Sequence, residues 1–178
     1  MLPPTHLLSG WCFSNLLKLT PKERLFCMLA ATFSDLDGIG IIISQKIYMA
    51  YHHIIGHNVF FGLVLSAVLT FFSRHKIKSF IFYLFLFHIH LIMDSWGSGP
   101  EWSIYYLWPF SNWTICNKYV WDFNSWQNSA VGICFITWTF LIVFFQKRTP
   151  LELLKPSLDK QFVDIAGRVV KILPLKNK

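Results

Sequence analysis

Residues 78–96 read KSFIFYLFLFHIHLIMDSW, and their reading decides the fold. The run is apolar enough to lie in a bilayer, yet it carries His88, His90 and Asp94 near its far end. An ionisable group at membrane depth is expensive, so it is retained for a site or a pathway rather than for packing. His90 and Asp94 are four residues apart and share one face of a helix, about one turn from each other. That spacing suits a pair of metal ligands or a proton relay. His88 is turned from His90 by roughly 200° and belongs to another face. Its expected role is that of an ordinary hydrogen-bonded core histidine.

The rest of the sequence agrees with a bilayer setting. Of the 178 residues, 54% are hydrophobic and only 14% charged, the balance of a membrane protein. The net charge of +7 arises from short basic clusters between apolar runs and in the tail, where topology-setting charges belong, so no nucleic acid is expected as a partner. Cys12, Cys27, Cys116 and Cys134 fall in separate segments without CxxC spacing, which predicts isolated thiols rather than a zinc finger. No Lys or Arg precedes Lys18, so no cleavable signal peptide is expected.

Residues 6–19 and 25–33 are two apolar helix candidates with Pro21 at a first helical position between them. They are 14 and 9 residues, or ~21 and ~14 Å, too short for a core of ~30 Å. They are expected to form a partly immersed or re-entrant hairpin. Residues 39–51 predict a short helix or loop. Residues 58–73 are free of charge and lead into the basic knot Arg74-His75-Lys76-Ile77-Lys78; residues 129–145 form a third apolar run, stopped by Lys147 and Arg148. Residues 95–127 hold six of the eight tryptophans, which reads as an aromatic belt at the interface. In the tail, Phe162, Ile165, Ala166, Val169, Ile172 and Leu173 recur at helical spacing opposite Lys160, Asp164, Arg168 and Lys171, the pattern of a helix lying on a membrane surface. The expectation is an all-α, multi-pass membrane helical bundle (residues 1–148) with a short N-terminal hairpin, followed by a basic cytoplasmic amphipathic tail (residues 149–178).

Charge then orients the bundle. The positive-inside rule puts Arg74, Lys76 and Lys78, Lys147 and Arg148, and the turn bearing Lys18, Lys22 and Arg24 in the cytoplasm. With the helices running up and down, His6, Asp35 and Asp37, His57, and His90 with Asp94 all fall at the opposite, outward end. Separate segments thus deliver metal-type ligands to one level. The candidate ligands are His6, Asp35, Asp37, His52 or His53, His57, His90 and Asp94, an imidazole and carboxylate set that suits zinc or another first-row divalent ion, in one to three copies. On a continuous helix His53 shares a face with His57, whereas a helix starting near Gly56 would let either His52 or His53 reach. Three carboxylates against two divalent ions leave a net positive site that favours an anionic phosphoester, attacked by a metal-activated water.

The order of these motifs resembles the family of membrane-bound metal-dependent hydrolases, some labelled LexA-binding inner-membrane hydrolases. The matching stretches are Thr5-His6-Leu7-Leu8, Ser34-Asp35-Leu36-Asp37, His52-His53-Ile54-Ile55-Gly56-His57-Asn58, His90-Leu91-Ile92-Met93-Asp94, Gly97 and Leu107-Trp108-Pro109-Phe110, which lie between residues 5 and 110. The resemblance implies a helical membrane protein remotely similar to zinc-dependent phospholipase C and P1-type nuclease, and it favours His52 as the partner of His57. Family Arg-Gly is here His53-Ile54, family Thr-His-Ser is Gly56-His57-Asn58, and the Pro before the first Asp is Ser34. The ligands survive while their surroundings differ.

The expected protein is therefore a multi-pass inner-membrane hydrolase of phosphoesters, a phospholipid among them, with its metal site on the periplasmic side and its C-terminus in the cytoplasm. Asp35, Asp94 and His52 are the expected catalytic groups. Membrane lipid and an anionic substrate are the expected partners, with a cytoplasmic protein for the tail. The rivals are a small metal or proton transporter and a metal-stabilised interaction protein.

Overall fold

The computed structural model describes residues 1–122 and 124–172, with Glu101 and residues 169–172 as backbone only. Leu173, and the side chains of Val169, Lys171 and Ile172 invoked for the tail pattern, lie outside the described residues. Among the described residues seven α-helices follow one another: α1 (Pro3–Ser14), α2 (Pro21–Ala30), α3 (Gln45–Tyr51), α4 (Val59–Phe71), α5 (Lys76–Gly97), α6 (Trp126–Gln146) and α7 (Pro156–Ile172). Between α2 and α3 the chain runs as a 3-10 helix, Phe33–Ile42. The described residues contain no strand, only one isolated antiparallel bridge between Ile104 and Ile115. The chain is an all-α membrane bundle.

Local chemistry explains the helix starts. Thr20 and Glu23 form a reciprocal capping box around Pro21 at the head of α2. Ser44, Asn58 and Ser125 cap α3, α4 and α6 by accepting a backbone N–H three residues on. α5 and α6, of 22 and 21 residues, are long and apolar enough to cross a membrane. α2 and the 3-10 segment satisfy the same criterion only as a pair bent by 57°. α4 is 13 residues, shorter than the apolar run at 58–73 predicts, and about 20 Å long.

Two apolar clusters hold the bundle. Cys27, Ala30 and Ala31 of α2 and the turn after it pack with Leu65 and Leu69 of α4, with Tyr83, Leu86, Phe87 and Leu91 of α5, and with Ile104. Trp11, Cys12, Met28 and Ile142 join α1, α2 and α6. In lipid, close backbone approach replaces the hydrophobic drive between helices, and glycines make it available. A Cβ on Gly10 would lie 2.7 Å from the Cys27 carbonyl oxygen, and one on Gly62 would lie 2.4 Å from the Phe87 ring. Gly62→Val is therefore expected to force α4 off α5 and lower stability by about 1–3 kcal/mol, the usual range for overpacking. Unfolding in detergent measures it; a variant as stable as wild type would contradict this contact.

At the other end of the bundle, Arg24 of the first basic turn has a partner that the charge reading did not supply. It is not a free topology-setting charge: it is 3% exposed and donates to Glu152, with Nη2–Oε2 at 2.8 Å, and to the Leu19 carbonyl. Glu152 lies in a short 3-10 turn, Pro150–Leu153, so the start of the tail is tied to α2.

Candidate metal centre

The residues expected to converge do so at one end of the bundle. α1 supplies His6, the 3-10 segment supplies Asp35 and Asp37, the end of α3 supplies His52, the turn before α4 supplies His57, and the last third of α5 supplies His90 and Asp94. His6, His57 and His90 are fully buried and Asp94 is nearly so. All three imidazoles point their Nε2 atoms at the Asp94 carboxylate. His6 Nε2 is 3.0 Å from Oδ1; His90 and His57 Nε2 are 2.9 and 3.3 Å from Oδ2. Asp35 Oδ1 lies 3.7 Å from His90 Nε2 and 3.9 Å from His57 Nε2. His6, Asp35, His90 and Asp94 offer ligand atoms all within 4.8 Å of one another. The Met1 nitrogen also lies against Asp94 Oδ1.

The opposite ring atoms fix the tautomers. His90 Nδ1 lies 2.9 Å from the Ala31 carbonyl, which only accepts, so Nδ1 carries a proton. His57 Nδ1 donates to Asp37 Oδ2 at 3.0 Å. In their neutral forms both rings therefore turn a lone pair inward, with their Nε2 atoms 3.1 Å apart. A proton on His57 relieves its own contacts. Burial alone would depress this histidine, but the Asp37 and Asp94 carboxylates outweigh that and raise it to about 9. The His90 lone pair still faces Asp94 Oδ2. His6, Asp35, His90 and Asp94 are the residues that could hold a divalent cation here, which would take the place of a proton between the imidazoles and the carboxylate. Buried polar atoms without a hydrogen-bond partner gather here too: His6 Nδ1, Asp35 Oδ2, Asp94 Oδ2 and Ser34 Oγ.

Asp37 is placed differently from Asp35. Its Oδ1 takes the His52 Nδ1 proton at 2.6 Å, while its Oδ2 takes His57 Nδ1 and the Gly56 amide at 2.9 Å. It thus orients two histidines, the arrangement carboxylates adopt behind metal-bound imidazole. Gly56 is needed where it stands, because a Cβ there would lie 2.2 Å from the Ser34 carbonyl oxygen.

His53 and His52 separate cleanly. His53 sits at φ 71, in the left-handed region. Its Nδ1 donates to the Trp102 carbonyl at 2.9 Å and its Nε2 accepts from the Trp102 indole at 3.1 Å, so both ring nitrogens are spent on one loop residue. Burial, with His57 beside it, holds His53 well below the usual histidine range. His52 has only Nδ1 committed, and its ring stacks on Tyr48 at 4.7 Å. His88 lies outside the cluster, bonded to the Leu84 carbonyl and the Tyr106 hydroxyl. Sequence reasoning used Gly56 only as a helix-start marker, and it missed the Ala31 carbonyl and Trp102. A backbone acceptor leaves no mark in sequence, and neither does a loop residue 49 positions from the histidine it holds.

A cavity of ≈ 200 Å³ adjoins the cluster, lined by His52, His53 and Asp94 and walled by Tyr48, Trp102 and Trp121. The fold and the cluster together define a helical membrane protein with a buried His/Asp centre at one end. The chain belongs to the YdjM inner membrane protein family, whose profile matches residues 1–157. No curated protein and no solved structure matches it.

Proposed function

We propose that this chain is an inner-membrane metal-dependent hydrolase of phosphoesters. The observation that carries the reading is the convergence of ligand-type atoms: His57 Nε2, His90 Nε2 and Asp94 Oδ2 lie within 3.3 Å of one another while both rings are pinned through Nδ1. His6, Asp35, His57, His90 and Asp94 would hold a divalent cation, zinc first by donor chemistry. When bound, the ion supplies Lewis acidity and a field that favours an anionic oxygen. The chain's own groups do the rest. Asp37 holds His52 and His57 in register. His52 lines the cavity with one ring nitrogen uncommitted, in a position to move a proton at the reacting water or the leaving oxygen. Tyr48, Trp102 and Trp121 limit water around it.

A transporter would need ionisable groups continuing to the other face. α4 and α6 contain no Asp, Glu, Lys, Arg or His, which favours chemistry at one end over passage. The test is metal analysis of gently extracted protein together with hydrolysis of a chromogenic phosphodiester. Bound zinc, and activity lost to chelator and regained with zinc, is expected; activity indifferent to chelation would sink the mechanism.

The reading places the centre on the periplasmic side, with the tail in the cytoplasm. Cys116, exposed in the loop between α5 and α6, reports on this directly. An impermeant maleimide is expected to label it from outside intact spheroplasts. Labelling only after the cytoplasmic face is opened would invert the orientation.

A further inference from the structure

The centre is shut on most sides. His6, His57, His90 and Asp94 have side chains no more than 2% exposed, and the ligand level is recessed: His90 precedes the end of α5 by seven residues, roughly 10 Å. Among the described site residues, exposure returns at Asp35, 13% exposed, and His52, 10% exposed. Both stand on the same stretch of chain, the 3-10 segment and α3.

The outer surface of that stretch is apolar. Leu36, Ile39, Ile41, Ile42 and Ile43 are exposed, Ile42 at 81% and Ile43 at 73%, and Met49 and Ile55 continue the face. The two pieces form one surface, since a Cβ on Gly40 of the 3-10 segment would lie 2.8 Å from Ile47 of α3. The charges of the 3-10 segment, Asp35 and Asp37, turn inward to the histidines, which leaves Lys46 as the charge on the outer side. A contiguous apolar face of this kind marks a contact surface. Its occupant is the bilayer rather than a protein, because the 3-10 segment continues α2 and the two qualify together as a bent membrane-crossing pair. A lysine at the border of such a face is placed to reach the headgroup layer while its stem stays in the apolar zone.

We propose that the edge at residues 36–43 is a lip immersed in the leaflet at the site's end of the bundle, over which the phosphoester headgroup of a membrane lipid reaches Asp35 and His52. The acyl chains never leave the leaflet; the headgroup alone tilts inward, past the edge where Asp35 and His52 are exposed. The chemistry rests on the hydrolase reading above, whereas the entry route rests on geometry.

Two measurements on the full chain in vesicles of phosphatidylethanolamine and phosphatidylglycerol test it. In the first, Ile42→Cys, in a background with Cys116 and Cys134 replaced by Ser, carries a nitroxide. Oxygen is expected to relax the label more effectively than a water-soluble nickel chelate does; the reverse would put the lip in water and overturn the proposal. In the second, zinc-loaded Ile42→Glu is compared with wild type on the vesicle phospholipids and on water-soluble bis(p-nitrophenyl) phosphate. Turnover of the lipid is expected to fall at least tenfold while that of the soluble ester stays within about twofold. Equal losses on both, or none on the lipid, would overturn the route. Hydrolysis of neither ester by wild type would overturn the hydrolase reading and the phosphoester part of this one together, with the label then deciding separately whether the lip is immersed.

Discussion

Asp94→Asn is expected to yield folded protein that retains no zinc and no phosphoesterase activity. Asp94 is the one group that His6, His57 and His90 all face, at 2.9–3.3 Å. Asn keeps the size but removes the charge, and it replaces one acceptor oxygen by a donor N–H₂ aimed at lone pairs. The buried histidines then lose the carboxylate they share, which Asp35 at 3.7–3.9 Å and Asp37 on the far side of His57 do not replace, and a missing charge partner in such a site costs about 3–5 kcal/mol. Metal analysis of the purified variant reads the outcome, and helical circular dichroism confirms that the bundle persists. Zinc bound at the wild-type level would mean that Asp94 holds histidines, not an ion. Asp37→Asn gives the useful contrast: because Asp37 acts through His52 and His57, its loss is expected to weaken zinc binding by about 10–100-fold rather than abolish it.

The second large effect lies at the opposite end. Arg24→Met is expected to cost about 3–5 kcal/mol, because it strands the Glu152 carboxylate, 11% exposed, beside an apolar side chain. It also removes the donor to the Leu19 carbonyl at the α1–α2 turn. Arg24→Met with Glu152→Gln should recover much of that loss, since two neutral side chains leave no charge unpaired. Denaturation in detergent measures both. A single variant within about 1 kcal/mol of wild type would reduce this pair to the ordinary surface bridge that contributes little.

What was legible in the sequence was what periodicity and spacing carry. α5 could be read because nothing interrupts its apolar run, and His90 and Asp94 could be paired because four residues is one turn. The level of the site followed from helices alternating in direction. Three things were not legible. The segment after α2 is a 3-10 helix, and its Gly- and Ile-rich sequence favours no particular helix type, so Asp35 and Asp37 could be placed at the site but not assigned distinct contacts. The choice between His52 and His53 turned on a positive φ and on a loop residue, Trp102, 49 positions away. Arg24 looked like a topology signal because its partner lies 128 residues further on, and no local pattern reports so distant an ion pair.

Those long separations bear on how the bundle is made. The α4–α5 hairpin closes through contacts a few tens of residues apart and can form as soon as α5 enters the membrane. The ties at the two ends cannot. His6 waits 88 residues for Asp94, and Arg24 waits 128 for Glu152. During synthesis the first two helices therefore carry an imidazole and a guanidinium without their carboxylate partners, which favours holding those groups at the water interface until the later segments arrive. The α1–α2 pair is as local in sequence as the α4–α5 hairpin, so what waits for the later chain is the closing of the two ends rather than the pairing of the helices.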